Sequence, residues 1–114
     1  MSINVRPWGE YHKLFEESGV WVKRVQVNPG CRISLQRHQR RSEKWIIVSG
    51  QGTAEVDGPA AAIGPSSVID VPLKAIHRIA CTSKAPLIFI EVACGSYLGE
   101  DDIERFEDDY NRKP

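Results

Sequence analysis

The chain has 114 residues, of which 41% are hydrophobic and 26% charged, enough for one domain with one modest core. Its formal net charge is +0, which argues against general nucleic-acid binding. No apolar run approaches the roughly 20 residues that span a bilayer, and the opening MSINVRPWGEYHK lacks a signal peptide's apolar stretch, so a cytoplasmic protein without a membrane partner is expected.

The predicted elements are almost all strands. VWVKRVQV (20–27) and RISLQRH (32–38) alternate, EKWIIVSG (43–50) and GTAEV (52–56) follow, and SVIDV (67–71), HRIAC (77–81) and PLIFIEVA (86–93) complete the series. His12 lies on a further strand-like segment and is given no role. Turn signals separate the strands at Asn28-Pro29-Gly30, Ser49-Gly50, Asp57-Gly58-Pro59, Gly64-Pro65 and Pro72. The one helix is predicted in GEDDIERFEDDY (99–110), whose early acids suit the positive end of a helix dipole. There is no internal repeat and no linker. Short strands with frequent Gly and Pro turns make a sandwich or barrel, and a single small β-barrel over residues 1–114 is the simplest whole.

Cys31, Cys81 and Cys94 are widely spaced, odd in number and contain no C-x-x-C pair, so free thiols in or near a core are expected. Charge is unevenly spread. Residues 32–44 carry Arg32, Arg37, Arg40, Arg41 and Lys44 against Glu43 alone, whereas residues 100–109 carry seven acids against Arg105. A local basic cluster in a neutral protein points to a small anion. The alternative is that the two blocks face each other, or water.

Residues two apart on a strand share a face, which groups Ser34, Gln36 and His38. The next strand offers Glu43, Trp45 and Ile47, and antiparallel pairing of the two would set Glu43 beside His38 and Gln36. His77 opens a later strand that a barrel can bring across from both. Two imidazole nitrogens, a carboxylate and an amide oxygen then converge as ligands for a divalent ion. Zinc, manganese, iron, cobalt and nickel all accept such mixed donors. The alternative leaves His38 and His77 unrelated, with Glu43 a partner for Arg41.

The run GCRISLQRHQRRSEKWIIVSG (30–50) resembles the first cupin motif, G-x5-H-x-H-x3,4-E-x6-G, with Gln36 in place of the first histidine. PLKAIH (72–77) resembles the second, P-x-G-x2-H-x3-N, with Lys74 at the glycine and Cys81 at the asparagine. RPWGEY (6–11), VKRVQVNPG (22–30), RSEKW and above all YLGEDDIERFEDDY (97–110) narrow the resemblance to the C-terminal domain of type II mannose-6-phosphate isomerases, from about Arg6 to Asn111. That domain usually follows a mannose-1-phosphate guanylyltransferase domain, of which this sequence shows no glycine-rich nucleotide loop. The family's H-H-H-R-x-E-H segment reads here with Gln39, Arg40 and Lys44 in place of three histidines.

The resemblance implies an all-β cupin double-stranded β-helix, or jelly-roll barrel, with a short C-terminal helix. It implies Gln36, His38, Glu43 and His77 as ligands of a divalent metal, zinc first and manganese, cobalt, nickel or iron after it. It implies interconversion of mannose 6-phosphate and fructose 6-phosphate in polysaccharide biosynthesis, and a homodimer. Such an isomerase must polarise a carbonyl and move a proton. Glu91, on an apolar strand face with Leu87 and Phe89, is a candidate base of raised pKa; its alternative is a buried pair with an arginine such as Arg24. Arg41 is the first choice for the phosphate, with Arg40, Lys44 and Arg78 behind it; Arg41 and Lys44 are also placed among the catalytic candidates. Trp8, Trp21 and Trp45 belong to a core or interface, and Trp45 is also a candidate wall for the sugar. The acidic tail is expected to pack across the barrel or a dimer partner, with its acids reaching the basic cluster as a lid. Two other readings stand beside the isomerase: a non-catalytic cupin that binds a sugar phosphate or sugar nucleotide, and a cupin of another reaction class, such as a dioxygenase or epimerase.

Overall fold

The computed structural model describes residues 3–111. Its strands are β1 (Ile3–Arg6), β2 (Gly9–Glu17), β3 (Val20–Val27), β4 (Leu35–Arg37), β5 (Arg41–Ser49), β6 (Gly52–Val56), β7 (Ala61–Ile63), β8 (Val68–Val71), β9 (His77–Cys81), β10 (Leu87–Gly95) and β11 (Glu104–Glu107). They form two antiparallel sheets, β1-β2-β3-β10-β5-β8 and β11-β4-β9-β6-β7, packed face to face as a cupin double-stranded β-helix.

Alternation places the core. In β3 the buried residues are Trp21, Lys23, Val25 and Val27, each followed or preceded by a more exposed one. In β5 they are Arg41, Glu43, Trp45 and Ile47, and in β10 Leu87, Phe89, Glu91 and Ala93. Register lines these up in rows across the inner face of the sheet. Val25, Phe89 and Ile47 form an apolar row; Lys23, Glu91 and Trp45 form the next; Trp21, Ala93 and Glu43 form a third; Gly95 and Arg41 lie at the rim. The interior thus changes from apolar to polar along the barrel axis, and the charged end is where a site can be built.

The strands expected at 20–27, 52–56 and 77–81 are found with those bounds. RISLQRH is shorter than expected: only Leu35–Arg37 is a strand, and Arg32 makes one isolated bridge to Ala80. β4 and β5 are not paired with each other, as the sequence suggested. They belong to opposite sheets, and Gln36 is instead the register partner of His77. The C-terminal helix is also corrected. No helix occurs among the described residues, and Glu104–Glu107 is a strand on the free edge of β4. Its acids meet bases of the barrel rather than a helix dipole: Arg37 with Glu104, Arg78 with Glu107 and Arg32 with Asp109. Ladder hydrogen bonds and these ion pairs outweigh a local helical preference worth only tenths of a kcal/mol per residue, roughly. The three cysteines are free thiols, Cys81 buried and Cys94 exposed.

Lys74, at the glycine of the second motif, has φ 67°, a left-handed conformation that costs a side-chain-bearing residue about 1 kcal/mol. Its amide donates to the carbonyl of His38 at 2.9 Å, so the turn is held in place despite the strain. The exposed Lys74 side chain makes Lys74→Gly a clean test: stability is expected to rise by up to about 1 kcal/mol in urea denaturation. A loss would show that the lysine, not the backbone, matters there.

Candidate functional site

His38, Glu43 and His77 come together at the polar end, each buried, with one donor atom apiece within 4.8 Å of the others. His38 follows β4, His77 opens β9 beside it, and Glu43 reaches in from β5 of the opposite sheet. The trio expected from spacing is therefore assembled, but across the barrel rather than along one ladder.

The histidines are prepared alike. His38 Nδ1 donates to the carbonyl of Asp102 at 2.6 Å, and His77 Nδ1 donates to the carbonyl of Ala75 at 2.9 Å. Each imidazole is thus held in the tautomer that leaves Nε2 as an acceptor, the arrangement metal-binding histidines use. Burial lowers the pKa of both, His38 to about 4, so the rings are neutral at physiological pH. Burial opposes ionisation of Glu43, but Arg41, His38, His77 and the bond from Trp45 outweigh it and bring its pKa to about 2. Trp45 Nε1 donates to Glu43 Oε1 at 2.9 Å. Gln36 Nε2 donates to Ser34 Oγ at 2.8 Å, which leaves the amide oxygen as the atom to offer a ligand. Two neutral imidazoles, one carboxylate and one amide oxygen are a donor set that fits a divalent ion.

Arg41 lies among these donors. Its Nε donates to Glu43 Oε2 at 2.9 Å, one Nη to His38 Nε2 at 3.2 Å and the other to the Gly99 carbonyl at 3.3 Å. The Arg41 partnership of the alternative reading is thus present beside the trio, but its unrelated histidines are not: the His38 and His77 ring centroids lie 5.0 Å apart.

These groups line a cavity of about 150 Å³. Glu91 is on its wall, as the sequence placed it, but Arg24 is not its partner; Arg24 points to the other face of β3 and bonds Gln26. Trp21 Nε1 donates to Glu91 Oε2 at 2.8 Å. Burial, helped by the charge on Glu43, raises Glu91 to about 8. Two of the cavity's carboxylates are therefore each held by one indole, Glu43 by Trp45 and Glu91 by Trp21, yet one is ionised and the other neutral.

Three of the proposed basic residues do not reach the cavity. Lys44 is one residue out of phase with Glu43, lies on the outer face of β5 and pairs with Asp70. Arg40 is exposed, with its guanidinium 5.5 Å from the ring centroid of Tyr97. Arg78 points away from His77 and is engaged by the Ile33 carbonyl and by Glu107. Trp45 lines the cavity, but it packs on Phe89 and His77 and holds Glu43. Gln39, Arg40 and Lys44, the departures from the family's histidine-rich segment, are all exposed.

The sequence reading overlooked Lys23, Arg6, Tyr11 and Glu100, which also line the cavity. One signal was available. Lys23 occupies a core-facing phase of VWVKRVQV, between Trp21 and Val25, and a lysine on that face needs an explanation. The tail crosses the cavity mouth as expected: Asp102 accepts from the amides of Gln39 and Arg40, and Glu100 meets Lys23.

Residues 2–108 match the family model described as mannose-6-phosphate isomerase C-terminal. The chain is 45% identical over 107 residues to the alginate biosynthesis protein AlgA of Pseudomonas aeruginosa, and 42% identical to the mannose-1-phosphate guanylyltransferase ManC of Salmonella typhimurium. Each match covers 94% of this chain but 22% of the relative, so the chain spans about a fifth of their length. Among solved structures, the capsular polysaccharide assembling protein CapF of Staphylococcus aureus superposes with a TM-score of 0.78 at 20% identity, over 93% of this chain and 34% of that one. The cupin domain of Cnp3 from Schizosaccharomyces pombe gives 0.73 at 16%, over 82% and 69%. These two likenesses establish the fold. No helix among the described residues is long and apolar enough to cross a membrane.

Proposed function

Because the chain belongs to the family of mannose-6-phosphate isomerase C-terminal domains, we propose that it interconverts mannose 6-phosphate and fructose 6-phosphate with a divalent metal, in polysaccharide biosynthesis. The observation that carries this reading is the matched pair of histidines, both neutral and both fixed through Nδ1, facing an ionised Glu43. His38, Glu43, His77 and the amide oxygen of Gln36 would hold the ion. When bound, it supplies Lewis-acid polarisation of the substrate carbonyl.

The chain's own residues do the rest. Isomerisation takes a proton from C2 of the aldose and returns it to C1, while a hydroxyl proton moves from O2 to O1. Glu91 is the group placed to carry the carbon-bound proton, because a carboxyl with a pKa of about 8 exchanges it readily near neutral pH. Trp21 fixes one oxygen of this cavity-lining carboxyl. Arg41 supplies positive charge beside the reacting oxygens through a guanidinium that Glu43 and Gly99 orient.

The test is a coupled assay of protein reconstituted with zinc or manganese, with mannose 6-phosphate as substrate and fructose 6-phosphate as the product followed. Turnover is expected, and a His77→Ala, Glu43→Ala variant should lack it. Metal-loaded protein without turnover would overturn the isomerase reading.

A second reading, a non-catalytic cupin that binds a sugar phosphate or sugar nucleotide, draws on one observation. Arg41 already engages two of the four donors, which is how a site works when a guanidinium rather than a metal completes it. Purified protein free of metal, and refusing it on dialysis, would favour this reading.

A further inference from the structure

Lys23 is buried, with its side chain 6% exposed, yet its ion-pair partner Glu100 comes from a surface turn and is half-exposed. The ammonium sits 3.8 Å from the ring centroid of Trp21 and 4.1 Å from that of Tyr11, and 2.7 Å from Glu100 Oε2. Two aromatic faces and one carboxylate thus surround it. A lysine is almost never fully buried unless an acid pairs with it. Its register neighbour Glu91 is such an acid, but burial keeps that carboxyl neutral. The negative charge therefore arrives from the turn between β10 and β11.

Three more cations line the same cavity, Arg41, Arg6 and Arg105, and the first two act on Glu100. Arg41 bonds the Gly99 carbonyl, next to Glu100. Arg6 donates to Tyr11 Oη at 3.2 Å and has no carboxylate partner among the described residues. Burial works against ionisation of Glu100, yet Lys23, then Arg41 and Arg6, hold its pKa below the usual carboxylate range. Three cations converge on one half-exposed carboxylate.

We infer that Lys23 and Arg6 form an anion site for the phosphate group of a phosphate monoester, and that Glu100 is its resident occupant, displaced when the ligand enters. Charge supports the assignment. Of the three cations that act on Glu100, Arg41 stays neutralised by Glu43, so removal of Glu100 leaves Lys23 and Arg6 as two positive charges, which a monoester of charge about −2 satisfies. The inference deepens the isomerase reading by naming what holds the phosphate, and it replaces Arg40, Lys44 and Arg78 in that role. It also assigns the tail a purpose: Gly99 and Glu100 lie on one turn, so an anion that expels Glu100 shifts the carbonyl that holds Arg41.

The experiment is isothermal titration of the full chain with inorganic phosphate and with mannose 6-phosphate, using mannose as the uncharged control. Lys23→Met should bind both anions at least tenfold more weakly, and Lys23→Arg should recover part of the loss. Glu100→Gln should bind both several-fold more tightly, because no carboxylate has to leave, while mannose affinity stays constant. Unchanged or weaker phosphate binding by a folded Glu100→Gln protein would overturn the inference, whatever Lys23→Met does to folding. Failure is separable from that of the isomerase. Phosphate binding that follows these variants without turnover keeps the anion site and sinks the isomerase; turnover with phosphate affinity blind to Glu100 does the reverse.

Discussion

Glu43→Ala is expected to destabilise the protein by about 3–5 kcal/mol, the range seen when one partner of a buried ion pair is removed. The Arg41 guanidinium is buried, and Glu43 is its one ion-pair partner among the described residues. Without it, a full positive charge remains in a cavity beside two neutral imidazoles, with only the Gly99 carbonyl and His38 Nε2 to solvate it. Trp45 Nε1 loses its acceptor as well, a further cost of about 1–3 kcal/mol for an unsatisfied buried donor if water does not replace it. Denaturant titration would measure the change. The double variant Arg41→Met, Glu43→Leu should lose much less than the sum of the single changes, because it removes both charges and keeps the volume. A Glu43→Ala protein within 1 kcal/mol of wild type, roughly, would mean that water already reaches the pair. The same variant should lose divalent-metal binding, since it takes away the one charged donor of the trio.

Glu91→Gln should act in the opposite direction and stabilise the protein at neutral pH by about 3 kcal/mol. The folded pKa of Glu91 is raised to about 8 from an ordinary value of 4.5. Below pH 4.5 the carboxyl is protonated whether the chain is folded or not, and its titration contributes nothing. Between pH 4.5 and 8 the unfolded chain releases the proton and the folded chain retains it, so stability falls as pH rises through that window. Glutamine keeps an oxygen for Trp21 Nε1 and has no proton to lose, so the gain should be near zero at pH 4 and largest at pH 8 and above. Thermal melts across that range would show it. A gain that does not depend on pH would mean packing, not ionisation, sets the cost of Glu91. If Glu91 also carries the substrate proton, the stabilised variant will have lost turnover, the usual trade between an active carboxyl and a stable one.

The acid side of the profile has a different origin. His38 and His77 have lowered pKa values, so unfolded chains gain protons there first as pH falls below 6.5, and stability drops toward pH 4. Glu43, held near 2, adds to the loss below its ordinary 4.5.

The features legible in the chain before folding are local and periodic. Alternation in VWVKRVQV and LIFIEV placed β3 and β10 and told which residues face inward, including Glu91. Gly and Pro turns separated the strands, and spacing named His38, Glu43 and His77, three groups that meet. The same two-residue period, read strictly, would have set Lys44 outside with Ile46 and Val48, and Arg78 opposite His77. Tertiary structure alone decided the partnerships. Whether β4 lies beside β5 or across from it depends on hydrogen bonds between segments distant in the chain, which no window of the sequence contains. The tail is a strand because β4 offers it an edge and three arginines offer it charge. Lys23, Arg6 and Glu100 converge because three separate segments line one cavity, and the coulombic energy that joins them depends on distance in space, not on separation along the chain.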